Sequence, residues 1–450
     1  MDHSIVRDDV PYQFHLLYEL DSDELYENAS KLSPFYLLSF EEISMLDVAV
    51  VGAGLTGLAC AQLLHRWGYD VAVFDKSRGL GGRVATRRVN TTCFDHGARF
   101  VSRQGSRTQQ LLHELLAVHT PIISAEETQT DFPKSVTDQF VEHPSALPTL
   151  ISWPRSPHQL DSSAANSFEN VFSGVQHLIR VPQTDAQSYV PPEGMTAIAK
   201  FLAHGLDVRR QHRITQLDAN LERRCWKITP EDRSQSPPFA RAVILAVPAP
   251  QAIPLLESLT PTGRAPDWID QVRAIEFSPC FSVIGGYAAQ SLPLQPDPQT
   301  GIPMWQMGDR HWDALHCPSD EILAWVGLDS SKSRHSDEPI IVFQSTDAFA
   351  ATHVDDTDLG LVGDRILERA AQLLNCPALC DPQWQQVQRW RYGFCRRPLA
   401  SPDPYLITHQ PLLLGCAGDW CSGSQIEDAL TSGQAIAHRI HQALDSSSIP

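Results

Sequence analysis

The sequence predicts an α/β fold in which a discontinuous Rossmann-like domain is combined with a second, sheet-based α+β domain. Three stretches predict this fold: a strand–turn–helix–strand unit at 48–75, a buried apolar strand at 242–247, and a strand-to-helix return at 411–444. Each is typical of a parallel sheet with helices on its faces. Because they lie far apart in the chain, the second domain must be inserted between them.

The first unit has the pattern of a dinucleotide-binding fold. Gly52, Gly54 and Gly57 follow the apolar strand Val48–Val51 with GxGxxG spacing. The first glycine makes a tight turn, the second lets backbone amides approach a pyrophosphate, and the third lets helix and strand pack closely. Apolar residues recur every fourth position from 55 to 67, which indicates a helix, and Asp75 ends the next strand, where it can bind a ribose. An ordinary βαβ unit with a glycine-rich turn is the alternative.

A second glycine turn, Gly81-Gly82-Arg83, favours FAD over NAD as the cofactor. An NAD site needs no further glycine-and-arginine turn just past its acidic residue. The flavin end of FAD extends away from the adenosine, and a guanidinium can neutralise the diphosphate that joins them.

The remaining elements alternate between the two domains. A helix is predicted near 107–118, and Pro-, Ser- and Asn-rich stretches up to 190 suit loops. Further helices are predicted at 194–204, 358–374 and 425–444, and further strands at 206–209, 213–218, 226–228, 242–247, 279–287, 322–328 and 411–417. We therefore expect an FAD-binding domain made of 46–104, 190–255 and 405–445, and a substrate domain made of 105–189 and 256–404.

Residues 1–44 form an acidic, aromatic N-terminal extension that we expect to be weakly ordered. They contain neither the basic segment nor the small-residue cleavage site of a signal peptide. Two hypotheses stay open. Translation starts at Met45, three residues before Val48, or the extension is a docking arm with short helices around 11–30.

Composition indicates a globular protein of the cytoplasm. Hydrophobic residues make up 42% of the chain, enough for a packed core, and there is no apolar run of 18 residues to form a transmembrane span. Lys+Arg 35 against Asp+Glu 53 gives a net charge of −18, which argues against nucleic acid or an anionic membrane as the main partner. The ten cysteines lack the spacing of a metal or redox site, so we predict thiols in a reducing compartment and no metal.

The C-terminal return completes the pattern. The strand at 412–417 ends in Gly418-Asp419, and an apolar helical pattern follows from Ile426. With the runs at 75–88, 94–100, 190–200 and 243–251, this stretch resembles the FAD-dependent amine oxidase superfamily and, within it, the renalase-like flavoproteins. The resemblance spans roughly 46–444 of the sequence.

The resemblance implies a set of FAD-binding residues. The phosphate turn and the turn at 81–83 hold the diphosphate, Asp75 the adenosine ribose, and Ile214 the adenine through its backbone. Asp419 reaches the ribityl–phosphate part, although its alternative role is to cap the helix that follows. The helix N-terminus at Ile426 stabilises negative charge at the flavin C2 carbonyl. The full set is Gly52, Gly54, Gly57, Asp75, Lys76, Gly82, Arg83, Gly97, Ala98, Ile214, Gly418, Asp419 and Ile426.

The resemblance also implies an oxidase with non-covalent FAD. Cys416 and Cys421 do not match the cysteine that links flavin in monoamine oxidases, and the aromatic cage for an amine is not recognisable. We expect hydride transfer from a dihydronicotinamide-type substrate to flavin, and electron transfer to oxygen. The alternatives are an amine or isoprenoid-type oxidoreductase and a non-catalytic flavin-binding interaction protein.

Two further features leave their roles open. His96 either handles a proton or is a structural histidine. The segment 389–398, with four arginines and two aromatic residues, either binds a substrate phosphate or is an arginine-rich surface strand. No catalytic protein residue is predicted, because the flavin carries the chemistry.

Overall fold

A computed structural model describes residues 45–89, 92–117, 151–153, 157–160, 178–180, 188–259, 265–296, 303–307, 310–332 and 338–446. Residues from Leu46 onward form one compact unit. The N-terminal extension and most of the predicted excursion at 105–189 lie outside the described residues, so both hypotheses about the extension stay predictions.

The helices that the structure describes are α1 (Leu55–Arg66), α2 (Ser106–Ala117), α3 (Thr196–Leu202), α4 (Ala249–Glu257), α5 (Ile269–Arg273), α6 (Asp347–His353), α7 (Leu359–Leu373) and α8 (Ile426–Ser446). Short 3-10 turns lie at Ala289–Ser291, Asp329–Ser331, Pro377–Cys380 and Asp419–Cys421.

The described strands are β1 (Met45–Val51), β2 (Val71–Asp75), β3 (Thr86–Val89), β4 (Thr92–Asp95), β5 (Val101–Ser102), β6 (Ile151–Ser152), β7 (Pro157–Leu160), β8 (Leu178–Arg180), β9 (Ser188–Val190), β10 (Asp207–Arg210), β11 (Ile214–Asn220), β12 (Cys225–Pro230), β13 (Phe239–Leu245), β14 (Glu276–Gly286), β15 (Leu294–Pro296), β16 (Pro303–Met307), β17 (Arg310–Trp312), β18 (Ala314–His316), β19 (Leu323–Leu328), β20 (Ile340–Ser345), β21 (Trp384–Arg397), β22 (Leu406–Thr408) and β23 (Leu414–Cys416).

The first sheet is the Rossmann-like layer. Its order is β10-β2-β1-β13-β12-β11, and β23 pairs in parallel with β13. Along β1, Val48 and Val50 pack into one hydrophobic cluster whereas Ala49 and Val51 pack into another. Alternate side chains of a strand point to opposite faces, so the continuous apolar run is explained by a sheet buried on both faces.

The sheet combines strands from distant parts of the chain. β1 and β2 are N-terminal, β10 to β13 lie in the middle, and β23 is C-terminal. α8 then crosses α1 closely, because a side chain at Gly433 would collide with the Thr56 carbonyl. The predicted mixed fold with a Rossmann-like domain is confirmed, and the exact domain boundaries stay a prediction.

The second sheet has the order β21-β14-β20-β19-β18-β7-β8. On one face Phe281, Val283 and Phe343 pack with residues of α7 in a third hydrophobic cluster. The alternate residues Ser282 and Gln344 are directly opposite each other and so share the other face. Small sheets are formed by β15-β16-β17, β3-β4 and β5-β9-β6.

Candidate functional site

The glycine turn after β1 has the shape that a diphosphate requires. Gly52 has φ of +115°, and a side chain there would collide with the Ala246 carbonyl. A side chain at Gly57 would collide with the Gly52 carbonyl, whereas a Cβ at Gly54 would meet nothing within 4 Å. Two glycines therefore hold strand and helix together, and the middle one leaves open space beside backbone amides.

Asp75 lies at the end of β2, next to this turn. Its carboxylate accepts the Ala53 amide at 2.7 Å and the Ser77 amide at 2.7 Å. The His212 amide donates to the Asp75 carbonyl at 2.8 Å, which brings the chain leading to Ile214 close to the end of β2. The side chain of Lys76 instead donates to Gln251 at 2.9 Å in an exposed position.

The second glycine turn lies directly against the first. Gly54 and Gly81 form an isolated parallel bridge, and the Gly81 amide donates to the Ala53 carbonyl at 2.9 Å. Gly82 has φ of +58°, a conformation that glycine adopts at little cost, and this turn presents Arg83.

Arg83 joins the N-terminal and C-terminal motifs. Its Nη2 donates to Asp419 Oδ1 at 2.6 Å, and its Nη1 donates to the Gly393 carbonyl at 3.3 Å. Asp419 is buried, and the preceding Gly418 amide donates to Ser432 at 2.9 Å. The Asp419 carboxylate is thus paired with Arg83, and α8 starts later, at Ile426, which is partly buried.

The segment after β4 runs beside Arg83. A side chain at Gly97 would collide with the Arg83 carbonyl, and the Ala98 amide donates to the same carbonyl at 2.9 Å. The structure therefore brings together most of the predicted site: both glycine turns, Asp75, Arg83, Gly97, Ala98, Gly418 and Asp419. Among the described residues, no hydrogen bond or ion pair joins Lys76, Ile214 or Ile426 to Arg83 or Asp419.

His96 is buried and stacks on Trp390, with ring centroids 5.3 Å apart at 14°. The Trp390 indole donates to the His96 carbonyl at 2.7 Å. In the described part of the chain His96 Nδ1 has no hydrogen-bond partner. Burial, followed by the nearby Arg87 charge, lowers the pKa of His96 to about 4, so the ring is neutral at neutral pH.

A buried charged cluster, which the sequence did not reveal, fixes the same segment. Lys332 Nζ lies 3.0 Å from Asp95 and 2.8 Å from Asp329, and the three side chains are 0–1% exposed. Asp95 also accepts the Thr86 hydroxyl at 2.6 Å and the Met195 amide at 2.9 Å. This cluster, called the Lys332 clasp below, connects the chain just before His96 to the end of β19.

Three of the four arginines of 389–398 have partners at the surface. Arg389 donates to the carbonyls of Val354 and Asp356, both at 2.9 Å. The exposed Arg391 and Arg397 pair with Asp355 and Glu276, respectively. These contacts favour the arginine-rich surface strand over a phosphate clamp.

The described residues contain no group of three or more His, Cys, Asp or Glu placed to hold a metal ion. The residues around Gly54 and Arg83 fit FAD, because open space beside backbone amides, the Asp75 carboxylate and the Arg83 guanidinium lie close together. The fold and the site together define a dinucleotide-binding flavoprotein.

Comparison with known proteins supports this class. The profile of the flavin containing amine oxidoreductase family matches residues 167–441, and that of the NAD(P)-binding Rossmann-like domain matches 50–115. The chain belongs to the flavin containing amine oxidoreductase family. The predicted renalase-like relationship is confirmed, as are the activity class of FAD-dependent oxidoreductase and non-covalent FAD.

The chain is similar to renalase of Mus musculus, with 21% identity over 407 residues that cover 87% of this chain and 98% of the relative. Over 76 residues, 17% of each chain, it is 41% identical to a putative flavin-containing monoamine oxidase of Mycobacterium tuberculosis.

Among solved structures, a double mutant of putrescine oxidase superposes with a TM-score of 0.59 at 15% identity, over 88% of this chain and 99% of the other. Cyclohexylamine oxidase from Brevibacterium oxydans superposes with a TM-score of 0.57 at 12% identity, over 89% of this chain and 100% of the other. At these identities the superpositions show a shared fold.

In the described part of the chain, no helix has the length and apolar character needed to cross a membrane. None of the ten cysteines forms a disulfide.

Proposed function

We propose that this protein is an oxidase that takes hydride from a reduced, nitrogen-containing substrate of the dihydronicotinamide type and passes the electrons to oxygen. The observation that carries the proposal is the Arg83–Asp419 pair, which closes a cofactor site beside the segment at Gly97 and Ala98. When bound, FAD supplies the redox chemistry: it accepts a hydride and returns two electrons to oxygen, which becomes hydrogen peroxide.

The residues of the chain then bind and orient the cofactor. The amides around Gly54 hold the diphosphate at the start of α1, where the helix dipole favours negative charge. Asp75 holds the adenosine ribose, and Arg83 compensates phosphate charge next to Asp419. Gly97 and Ala98 would border the isoalloxazine, and the α8 N-terminus, which begins at Ile426, would stabilise negative charge on the flavin.

The substrate class rests on the resemblance to renalase-like flavoproteins, which extends over 98% of the mouse renalase. Renalase-like enzymes are understood to oxidise misformed dihydronicotinamide isomers. The absence of a recognisable aromatic cage in the sequence argues against a simple amine. A cytoplasmic location also belongs to the proposal, and it is supported by ten cysteines without a disulfide.

The test is anaerobic mixing of the flavoprotein with dihydronicotinamide isomers and, separately, with putrescine and cyclohexylamine. We expect the visible flavin absorbance to bleach rapidly with a dihydronicotinamide isomer and not with either amine. Admission of oxygen should then restore the absorbance and give one hydrogen peroxide for each substrate oxidised. Bleaching by amines alone would refute the substrate class, and a purified protein that never shows flavin absorbance would refute the proposal as a whole.

A further inference from the structure

Next to the proposed flavin edge, Arg99 is a cation without an acidic partner. Its Nε donates to Gln344 Oε1 at 2.6 Å. Among the described residues its two Nη groups have no hydrogen-bond partner, and no Asp or Glu lies within 4.0 Å of the guanidinium. Arg83, by contrast, is paired with Asp419.

Among the described residues, the titratable groups that shift the pKa of Arg99 are two thiols, Cys280 and Cys317, which supply no compensating charge. Burial raises the pKa of the nearby Cys280 and Cys317 thiols to about 11 and about 12, so both are neutral at neutral pH. Burial also lowers the pKa of Arg99, to about 10, which leaves the guanidinium protonated. Placing a charge among buried groups without a counter-ion is costly, and an anion bound there would offset that cost.

A second cation, Lys332, lies over the Trp153 ring that packs on Trp325, but its charge is paired with Asp95 and Asp329. Burial, and then the Arg99 charge, lowers the pKa of His316 on β18 to about 4, so its ring is neutral at neutral pH. The Arg99 guanidinium lies over the Trp325 ring, 4.6 Å from its centroid, and the ring itself carries no charge. A single guanidinium matches the single charge of a carboxylate better than the double charge of a phosphate.

Further unsatisfied polar groups share the sheet face next to Arg99. Ser282, Gln344 and Trp325 are paired across β14, β20 and β19 and so point to the same side. In the described part of the chain Ser282 Oγ and Trp325 Nε1 are buried and have no hydrogen-bond partner. Gln344 connects this face to the segment at Gly97 and Ala98, because its Nε2 donates to the Gly97 carbonyl at 3.0 Å.

We propose that Arg99 binds a carboxylate of the substrate and thereby favours, among the reduced pyridines of the proposed substrate class, those with a carboxylate close to the carbon that loses hydride. The inference rests on the proposed function, which places the isoalloxazine beside Gly97 and Ala98. Two adjacent Nη donors suit the two oxygens of a carboxylate, and Gln344 holds the guanidinium at a fixed position relative to the Gly97 carbonyl.

The test compares nicotinate with nicotinamide, which share a ring and differ in the carboxylate. Each is titrated into the oxidised FAD-loaded protein, and binding is followed by the perturbation of the flavin absorbance. We expect wild type to bind nicotinate more tightly than nicotinamide. Arg99→Gln should raise the dissociation constant for nicotinate by roughly 10- to 100-fold, the scale of a hydrogen bond to a charged group, and leave nicotinamide binding unchanged.

Two variants serve as controls. Arg99→Lys keeps the charge and loses the paired donors, so its affinity for nicotinate should lie between those of wild type and Arg99→Gln. Arg273→Gln removes an exposed arginine that pairs with Glu257 and Asp270 on the surface, and it should bind both ligands like wild type.

Equal binding of nicotinate and nicotinamide to wild type would overturn the inference without any variant. Displacement of nicotinate by inorganic phosphate more strongly than by acetate, in an Arg99-dependent way, would overturn the choice of a carboxylate. If dihydronicotinamide bleaches the flavin and nicotinate has no advantage, the Arg99 inference fails and the proposed function stands. If nicotinate binds through Arg99 and no reduced pyridine bleaches the flavin, the carboxylate site stands and the proposed function fails.

Discussion

Replacement of Lys332 by methionine should destabilise the protein strongly. The change removes the ammonium that lies 3.0 Å from Asp95 and 2.8 Å from Asp329, with all three side chains 0–1% exposed. Two buried carboxylates then face each other without a cation. Breaking a buried ion pair in this way costs about 3–5 kcal/mol of the free energy of unfolding. FAD affinity should fall as well, because Asp95 lies two residues before Gly97, where we propose that the chain borders the flavin.

The assay is urea unfolding of the flavoprotein at neutral pH, followed by tryptophan fluorescence and by release of flavin. Lys332→Met is compared with the double variant Lys332→Met/Asp329→Asn and with Lys200→Met, in which an exposed lysine is changed. If uncompensated charge causes the loss, the double variant should recover at least about 1 kcal/mol relative to the single one. A double variant less stable than Lys332→Met would refute this reasoning and assign the loss to packing.

Three further predictions concern the cofactor site. Asp75→Ala should weaken FAD binding by about 1–3 kcal/mol with the fold intact, as measured by titration of the apoprotein, and an unchanged affinity would mean that the adenosine lies elsewhere. Gly54→Ala should fold normally, because its Cβ meets nothing within 4 Å, but it should lose flavin, because the methyl group enters the space proposed for the diphosphate. Gly57→Ala should lower the unfolding midpoint itself, because its Cβ collides with the backbone. Identical circular dichroism melts for the two variants would contradict the assignment. The pKa of His96 is lowered from 6.5 to about 4 in the folded state, so above pH 6.5 the ring is neutral in both states and the protein has its full stability. As the pH falls from 6.5 towards 4, the unfolded state takes up the proton and the folded state does not, so stability is lost. Between pH 7.5 and 5, wild type should therefore lose about 2 kcal/mol more than His96→Asn, and parallel pH profiles of unfolding would rule this out.

Local patterns in the sequence predicted most of the fold. The predicted helix over 358–374 is observed as α7 (Leu359–Leu373), and the predicted strand over 322–328 as β19 (Leu323–Leu328). With 15 residues, α7 repeats its apolar pattern several times. Strands β15, β17 and β18 have three residues each, too few for a period to be detected, and β20 was also missed although all its residues are buried.

The cofactor motifs were predicted because their residues are close in sequence, as in the turn that contains Gly52, Gly54 and Gly57. The Lys332 clasp and the Arg99 contact had no such signal. Lys332 and Asp95 are 237 residues apart, and Arg99 and Gln344 are 245 apart. Lys332 lies in a serine-rich run that resembles an ordinary loop. Such residues come together only when the chain has folded.

The contact between Arg83 and Asp419 spans 336 residues and therefore constrains how the protein is made. During synthesis the phosphate turn leaves the ribosome first, while β23, Asp419 and α8 are still to be translated. A nascent chain that ends before this point lacks the Asp419 carboxylate and α8, which both belong to the proposed cofactor site. In the proposed site, full retention of FAD therefore has to wait until residue 419 has been made and folded, and we expect a chain that stops short of it to bind flavin weakly.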